Sequence, residues 1–345
     1  MLALVVSGGA GCAVTDRQVI DNAEQTHGSL EPAIIRDSQL ANYLQSVGER
    51  IVAAGREADE QKKGPKQHFD KSQNDQWMYS NQMQFHLVNS KTLNAFTTGG
   101  EHMYIYNQLF QECKTEDELA AVMAHEYAHV YGRHVAQGMK NQMTTLIAGA
   151  LVGGAAGYAI GDKDNKLGAV GTGAAVGAAG GQFVNMGFTR HDEDEADKWG
   201  FYFYTHAGWD PNHFADFFQH MIDKGYDKTP GMLSDHPTLA SRVEATKRRV
   251  KELPGDAGSW KRKPIADAGA FRDLQQRAAT LGKKLPDDKS LQNSQQLAQA
   301  LPRSCVAPVD PPDAIEAREE LANRAKNSGV KVSSSDDSNA KKKKK

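Results

Sequence analysis

His125 and His129, with Glu126 beside the first, are the residues of this chain whose types and spacing best suit joint chemistry. A separation of four sets two imidazoles one turn apart on the same face of a helix, where both can reach a single Zn²⁺. Glu126 can hold a metal-bound water and take its proton as general base. A zinc centre that handles substrate also needs a third protein ligand and an open position. The acidic run Arg190-His191-Asp192-Glu193-Asp194-Glu195-Ala196-Asp197 offers that ligand. On a helix Glu193 and Asp197 share a face. Glu193 is then the expected third ligand, and Asp197 the acceptor for the second ring N–H of a ligand histidine. Asp194 and Glu195 are expected to point elsewhere. Taken alone, the run reads as a solvated first turn; beside HExxH it reads as metal-binding.

These residues need helices to position them. Thr115 and Glu118 form a capping-box pattern ahead of an apolar-periodic run, which predicts a helix over 116–140. Helices are predicted over 38–54, 190–206, 211–224 and 237–252, with Asp210 and then Asp235 or His236 at the caps of the last two, and weaker patterns at 267–282 and 312–327. Residues 83–88 alternate as a strand, and 93–106 read as two short extended pieces around Gly99-Gly100. Residues 55–80 read as a loop. In 146–181 glycines recur every fourth residue on either side of a polar break, which suggests a hairpin of two closely packed helices.

With these pieces in order, the chain resembles the M48 family of zinc metallopeptidases. HEYAHVYGRH corresponds to the family's HExxH element and EDEAD to its ExxAD element. Asn94-Ala95-Phe96 is similar to the family's segment upstream of the site, Arg190 to the arginine before ExxAD, and His236-Pro237 with Arg242 to its HPxxxxR element. The resemblance implies a mainly helical α+β, zincin-like domain over 35–252, with a small sheet beside the HExxH helix. It implies one zinc per chain on His125, His129 and Glu193, and Glu126 as general base. Asp197, Arg190 and Arg242 are implied as supports around the ligands. A polypeptide substrate would lie extended along the strand near 93–97 or 102–106. His236 fits two roles, oxyanion donor or fourth metal ligand in a resting state. His134, His191, His206, His213 and His220 are read as ordinary histidines. The glycine-rich insert is longer than the family leads one to expect, and no tetratricopeptide period is visible after 254.

Composition sets the limits. The chain has 345 residues, 39% of them hydrophobic, enough for a real core. A formal charge of −2 argues against a nucleic-acid-binding surface, and no nucleic-acid partner is expected. No continuous apolar run is long enough for a polytopic membrane protein. Residues 1–12 end in small residues and Cys12, similar to a bacterial lipoprotein signal, although a basic start is missing and Gly9 stands where leucine is usual. The expected location is the cell envelope, either the periplasm or the periplasmic face of the outer membrane. A lipidated Cys12, and the 146–181 hairpin as a further contact, would touch the membrane. Residues 253–332 are expected to form a polar helical extension and 333–345 a disordered lysine-rich tail. Beside the reading as an endopeptidase of misfolded envelope proteins stand two others: a zinc-stabilised envelope chaperone or assembly factor, and a membrane-inserting glycine-zipper lipoprotein.

Overall fold

The structure, a computed structural model, describes residues 14–61, 76–141, 188–226 and 237–301. Cys12, Cys305, His236, the 146–181 insert, the helix expected at 312–327 and the lysine-rich tail lie outside the described residues. A three-stranded sheet sits between two sets of helices. It contains β1 (Gln84–Val88), β2 (Ala95–Thr97) and β3 (His102–Tyr106), in the order β1-β3-β2. β3 runs parallel to β1, with Phe85 opposite Met103, and antiparallel to β2, with Phe96 opposite Tyr104. Side-chain alternation divides the faces. Phe85, Leu87, Ala95, Met103 and Ile105 belong to the larger core, and Val88, Phe96, Tyr104 and Tyr106 to a smaller one behind the sheet. Both faces of β3 are therefore covered, and all five of its residues are buried.

On the first face lie α2 (Ser38–Glu60) and α4 (Glu116–Tyr131), with α3 (Asn107–Glu112) leading into the latter. α5 (Arg190–His206) packs along α4, and α6 (Asp216–Asp223) and α7 (Leu239–Lys251) close that side. α1 (Asp16–Leu30) and α9 (Lys289–Ala300) cover the second face, while α8 (Ala268–Gly282) lies against α3 and α2. The result is a mainly helical α+β domain with its small sheet beside the HExxH helix. Among the described residues no helix is long and apolar enough to cross a membrane.

Several elements depart from their expected bounds, each for a local reason. α2 runs on to Glu60 through residues expected to be loop. Its last buried positions are Ala54, Gly55 and Ala58, and Gly55 makes room for the Tyr127 ring; a Cβ there would lie 2.4 Å from the Tyr127 hydroxyl oxygen. Trp77, Met78 and Tyr79, in the same expected loop, are core residues. The capping box at α4 is only half formed: Thr115 accepts from the Glu118 N–H, but Glu118 reaches back to Lys114 N at 2.7 Å. Asp210 caps a 3₁₀ turn, Pro211–His213, and the α-helix starts only at Asp216. α7 is capped by Thr238, whose hydroxyl accepts from Ser241 N.

Glu116 ties the start of α4 to the rest of the molecule. It is buried, and its two carboxyl oxygens accept from Trp209 Nε1 (3.0 Å), Tyr43 Oη (3.3 Å), Ile265 N (2.8 Å) and Ala266 N (2.6 Å). The region after 253 thus shares the core of what precedes it. Phe271 and Ala278 pack in the larger cluster, Leu291 and Leu297 in the smaller one, and Tyr106 donates to the Ala298 carbonyl at 2.7 Å.

Candidate active site

α4 and α5 meet through buried faces. At their contact Gly200 removes the side chain that would otherwise hold them apart: a Cβ there would sit 2.9 Å from His125 Cα. Glu193 and Asp197 lie two turns and one turn earlier on the same face of α5, so both reach the imidazoles of α4. His125 Nε2 and His129 Nε2 are 2.9 Å apart. Glu193 places Oε2 3.6 Å from the first and Oε1 3.8 Å from the second. One donor atom from each of the three lies within 4.8 Å of the other two. His125, Glu126, His129 and Glu193 are all buried.

The remaining ring nitrogens are held. His125 Nδ1 donates to Asp197 Oδ1 at 2.9 Å. Arg242, from α7, forks onto the same carboxylate, with Nε on Oδ2 at 2.8 Å and Nη2 on Oδ1. The guanidinium itself lies 3.9 Å over the Phe218 ring. Burial alone would raise the Asp197 carboxyl, but Arg242 and the His125 hydrogen bond outweigh it and hold it below the usual range. Burial lowers His125 to about 4 and raises Glu193 to about 8. A neutral His125, a second buried imidazole and a buried carboxyl, with the nearest arginine already committed to Asp197, form a donor set that a dication suits. The spacings also fit, since a tetrahedral zinc with bonds near 2.0–2.1 Å needs donors about 3.4 Å apart.

The second histidine has a support that the sequence reading passed over. α4 does not run through to 140. It stops at Tyr131, turns at Gly132-Arg133, and helical structure resumes over 134–141. Arg133 has φ 58°, the only positive value at a non-glycine position among the described residues. The turn brings His134 back, buried, with Nδ1 2.9 Å from His129 Nδ1. Its Nε2 lies 3.7 Å from Glu195 Oε2. Gly132 is required here, because a Cβ would stand 2.5 Å from His134 Nε2. His134 and Glu195, read as an ordinary histidine and as pointing away, therefore line up behind His129. Gly132, three residues past the HExxH element, was the available signal: it leaves room for the His134 ring, while the chain itself reverses at Arg133.

Other candidates divide. Arg190 is exposed at the first residue of α5. Asn94, Ala95 and Phe96 are buried at the start of β2, and β2 lies beside α4. β3 is hydrogen-bonded on both sides, so of the two strands considered for substrate pairing only β2 lies at a sheet edge. Cys113 is a buried free thiol.

The sequence profile of peptidase family M48 matches residues 66–250, over half of the chain. Among curated relatives, the beta-barrel assembly-enhancing protease of Escherichia coli is 28% identical over 225 residues, covering 64% of this chain and 41% of that protein. The protein of the same name from Yersinia pestis is 28% identical over 222 residues, with the same coverage of 64% and 41%. Metalloprotease LoiP of Escherichia coli is 27% identical over 164 residues, 47% of this chain and 60% of the relative. The chain spans about two-fifths of the length of the assembly-enhancing proteases it matches.

Proposed function

The chain belongs to peptidase family M48, a family of metal-dependent peptidases, and we propose that it is a zinc-dependent endopeptidase acting on misfolded or misassembled proteins of the bacterial envelope. One observation carries the reading: His125, His129 and Glu193 converge on a single point, and Glu126 is the buried neighbour of the first. His125, His129 and Glu193 would hold one zinc per chain. Bound there, zinc lowers the pKa of a water toward neutrality and polarises the scissile carbonyl. Glu126 takes the proton and returns it to the leaving amine. Asp197, fixed by Arg242, keeps the His125 proton on Nδ1 so that Nε2 faces the ion, and His134 does the same for His129. The substrate lies extended against the edge of β2 and pairs its backbone with that strand.

The envelope location, an anchor at lipidated Cys12, and a further membrane contact through 146–181 belong to the same proposal. The names of two of the relatives, beta-barrel assembly-enhancing proteases, support the envelope location. His236 completes the proposal, either as a restraining fourth ligand or as an oxyanion donor. Greater activity in His236→Ala marks the first role, and a loss of about a hundredfold with zinc retained marks the second.

The test is Glu126→Gln in the full chain, with zinc content and cleavage of an unfolded protein such as casein measured together. Zinc retained and cleavage abolished is the expected result. Equal cleavage by both proteins would remove Glu126 from the mechanism. Absence of cleavage in the wild type, with zinc bound, would favour the chaperone alternative.

A further inference from the structure

A second group of histidines lies on the other side of the sheet. His86 on β1 and His102 on β3 share the face turned toward α1, and His27 comes down onto them from α1. His86 Nε2 and His102 Nδ1 are 2.9 Å apart. One nitrogen from each of the three rings lies within 4.8 Å of one from each of the others. Outer contacts are in place as well. His102 Nε2 meets Glu24 Oε1 at 2.9 Å, one turn before His27 on the same helix, and His27 Nδ1 meets the Tyr104 hydroxyl at 3.1 Å. His102 is buried, while His27 and His86 are half-buried and line a cavity of about 440 Å³ together with Glu31, Arg36 and Asp37.

We propose that His27, His86 and His102 form a second transition-metal site, separate from the HExxH cluster, which pins α1 to β1 and β3. An all-imidazole donor set selects zinc, copper or nickel over magnesium or calcium, which prefer oxygen. The Glu24–His102 contact has the form of a carboxylate–histidine–metal arrangement, which fixes the ring and leaves Nδ1 to the ion. The fourth position faces the cavity and takes a water.

One rearrangement is required. The His27 ring lies flat on His102, with centroids 4.1 Å apart and planes within 5°. Parallel rings cannot both aim a lone pair at one ion, so His27 must turn out of the stack on binding. It borders the cavity, which gives it room, and the movement exchanges one hydroxyl contact for a metal bond.

The experiment uses the full chain, zinc buffered in the micromolar range, and metal counted by mass spectrometry. Wild type should bind two zinc ions per chain. His129→Ala with Glu193→Ala should remove one and keep the other. His27→Gln, at a half-exposed position where folding is least at risk, should weaken the second ion at least tenfold and leave casein cleavage unchanged. Co²⁺ loaded into the His129→Ala/Glu193→Ala protein should give a visible d–d spectrum that His86→Asn abolishes. A single zinc in wild type, or two zinc ions retained in the His27→Gln/His86→Asn protein, would overturn the proposal. Failure of cleavage alone would bear on Glu126 and the first site, and not on this one.

Discussion

Gly200→Ala separates a packing argument from a propensity argument, because the two predict opposite signs. In an exposed helix interior the change stabilises by about 1 kcal/mol. Here the added methyl would meet His125 Cα at 2.9 Å, His125 N at 3.0 Å and Ala124 C at 3.3 Å. All three are backbone atoms of α4 and cannot swing away as a side-chain tip could. Ordinary carbon contacts lie near 3.5–4.0 Å, so α5 must retreat by about 0.7 Å. Overpacking of this kind costs about 1–3 kcal/mol, leaving a net loss of up to about 2 kcal/mol once propensity is credited. The effect on the site is larger, because Glu193 and Asp197 ride on the retreating helix. A displacement near 1 Å at reacting groups can cost about a hundredfold in rate. Denaturant titration, chelator competition for zinc and casein cleavage measure the three quantities. A variant about 1 kcal/mol more stable, with zinc affinity and cleavage intact, would refute the close-approach argument.

Other predictions address separate parts of the molecule. His134→Phe should weaken zinc binding about 10–100-fold in chelator competition, and His134→Asn should recover part of that loss by keeping a polar partner for His129; equal affinity in all three proteins would show that His134 does not orient the ligand. Glu116→Ala should cost roughly 3–5 kcal/mol in urea unfolding, because it leaves buried donors from Trp209, Ile265 and Ala266 unmatched, and a loss under about 1 kcal/mol would contradict the role given to this residue. Burial raises the Glu118 carboxyl above its ordinary 4.5, so its contribution to stability is present below that value and is lost as pH rises through the higher folded value. Glu118→Gln should therefore gain in melting temperature relative to wild type as pH rises from about 4.5, and a difference that does not change with pH would refute the assignment.

The metal-facing geometry was legible because it is local. A spacing of four within α4, and again of four within α5, sets which side chains share a face before any tertiary contact forms. The break after Tyr131 was less visible, because apolar residues, Val135 and Met139, recur at helical spacing past it and only Gly132 marks the turn. α1 was not expected, and α9 was covered only by the general expectation of a polar helical extension over 253–332, without bounds of its own. Each is rich in polar residues and keeps a narrow apolar stripe, Val19, Ala23 and Leu30 in one, Leu291, Leu297 and Ala298 in the other. Such stripes carry little signal until a sheet exists for them to cover. The His27–His86–His102 group had no motif to show, since its members come from one helix and two strands brought together only by folding.

The Glu116 contacts also bear on when the protein becomes competent during its synthesis. The carboxyl group emerges 150 residues before Ala266, the last of its partners. At about 5–20 residues per second, translation needs roughly 8–30 s to cover that interval. Every residue of the HExxH cluster, and Arg242 behind it, is added to the chain before Ile265 and Ala266 are. The first turn of α4 still lacks the two backbone donors that fix its end. A growing chain thus carries a complete set of ligands on a helix whose start is anchored only once Ala266 has been added.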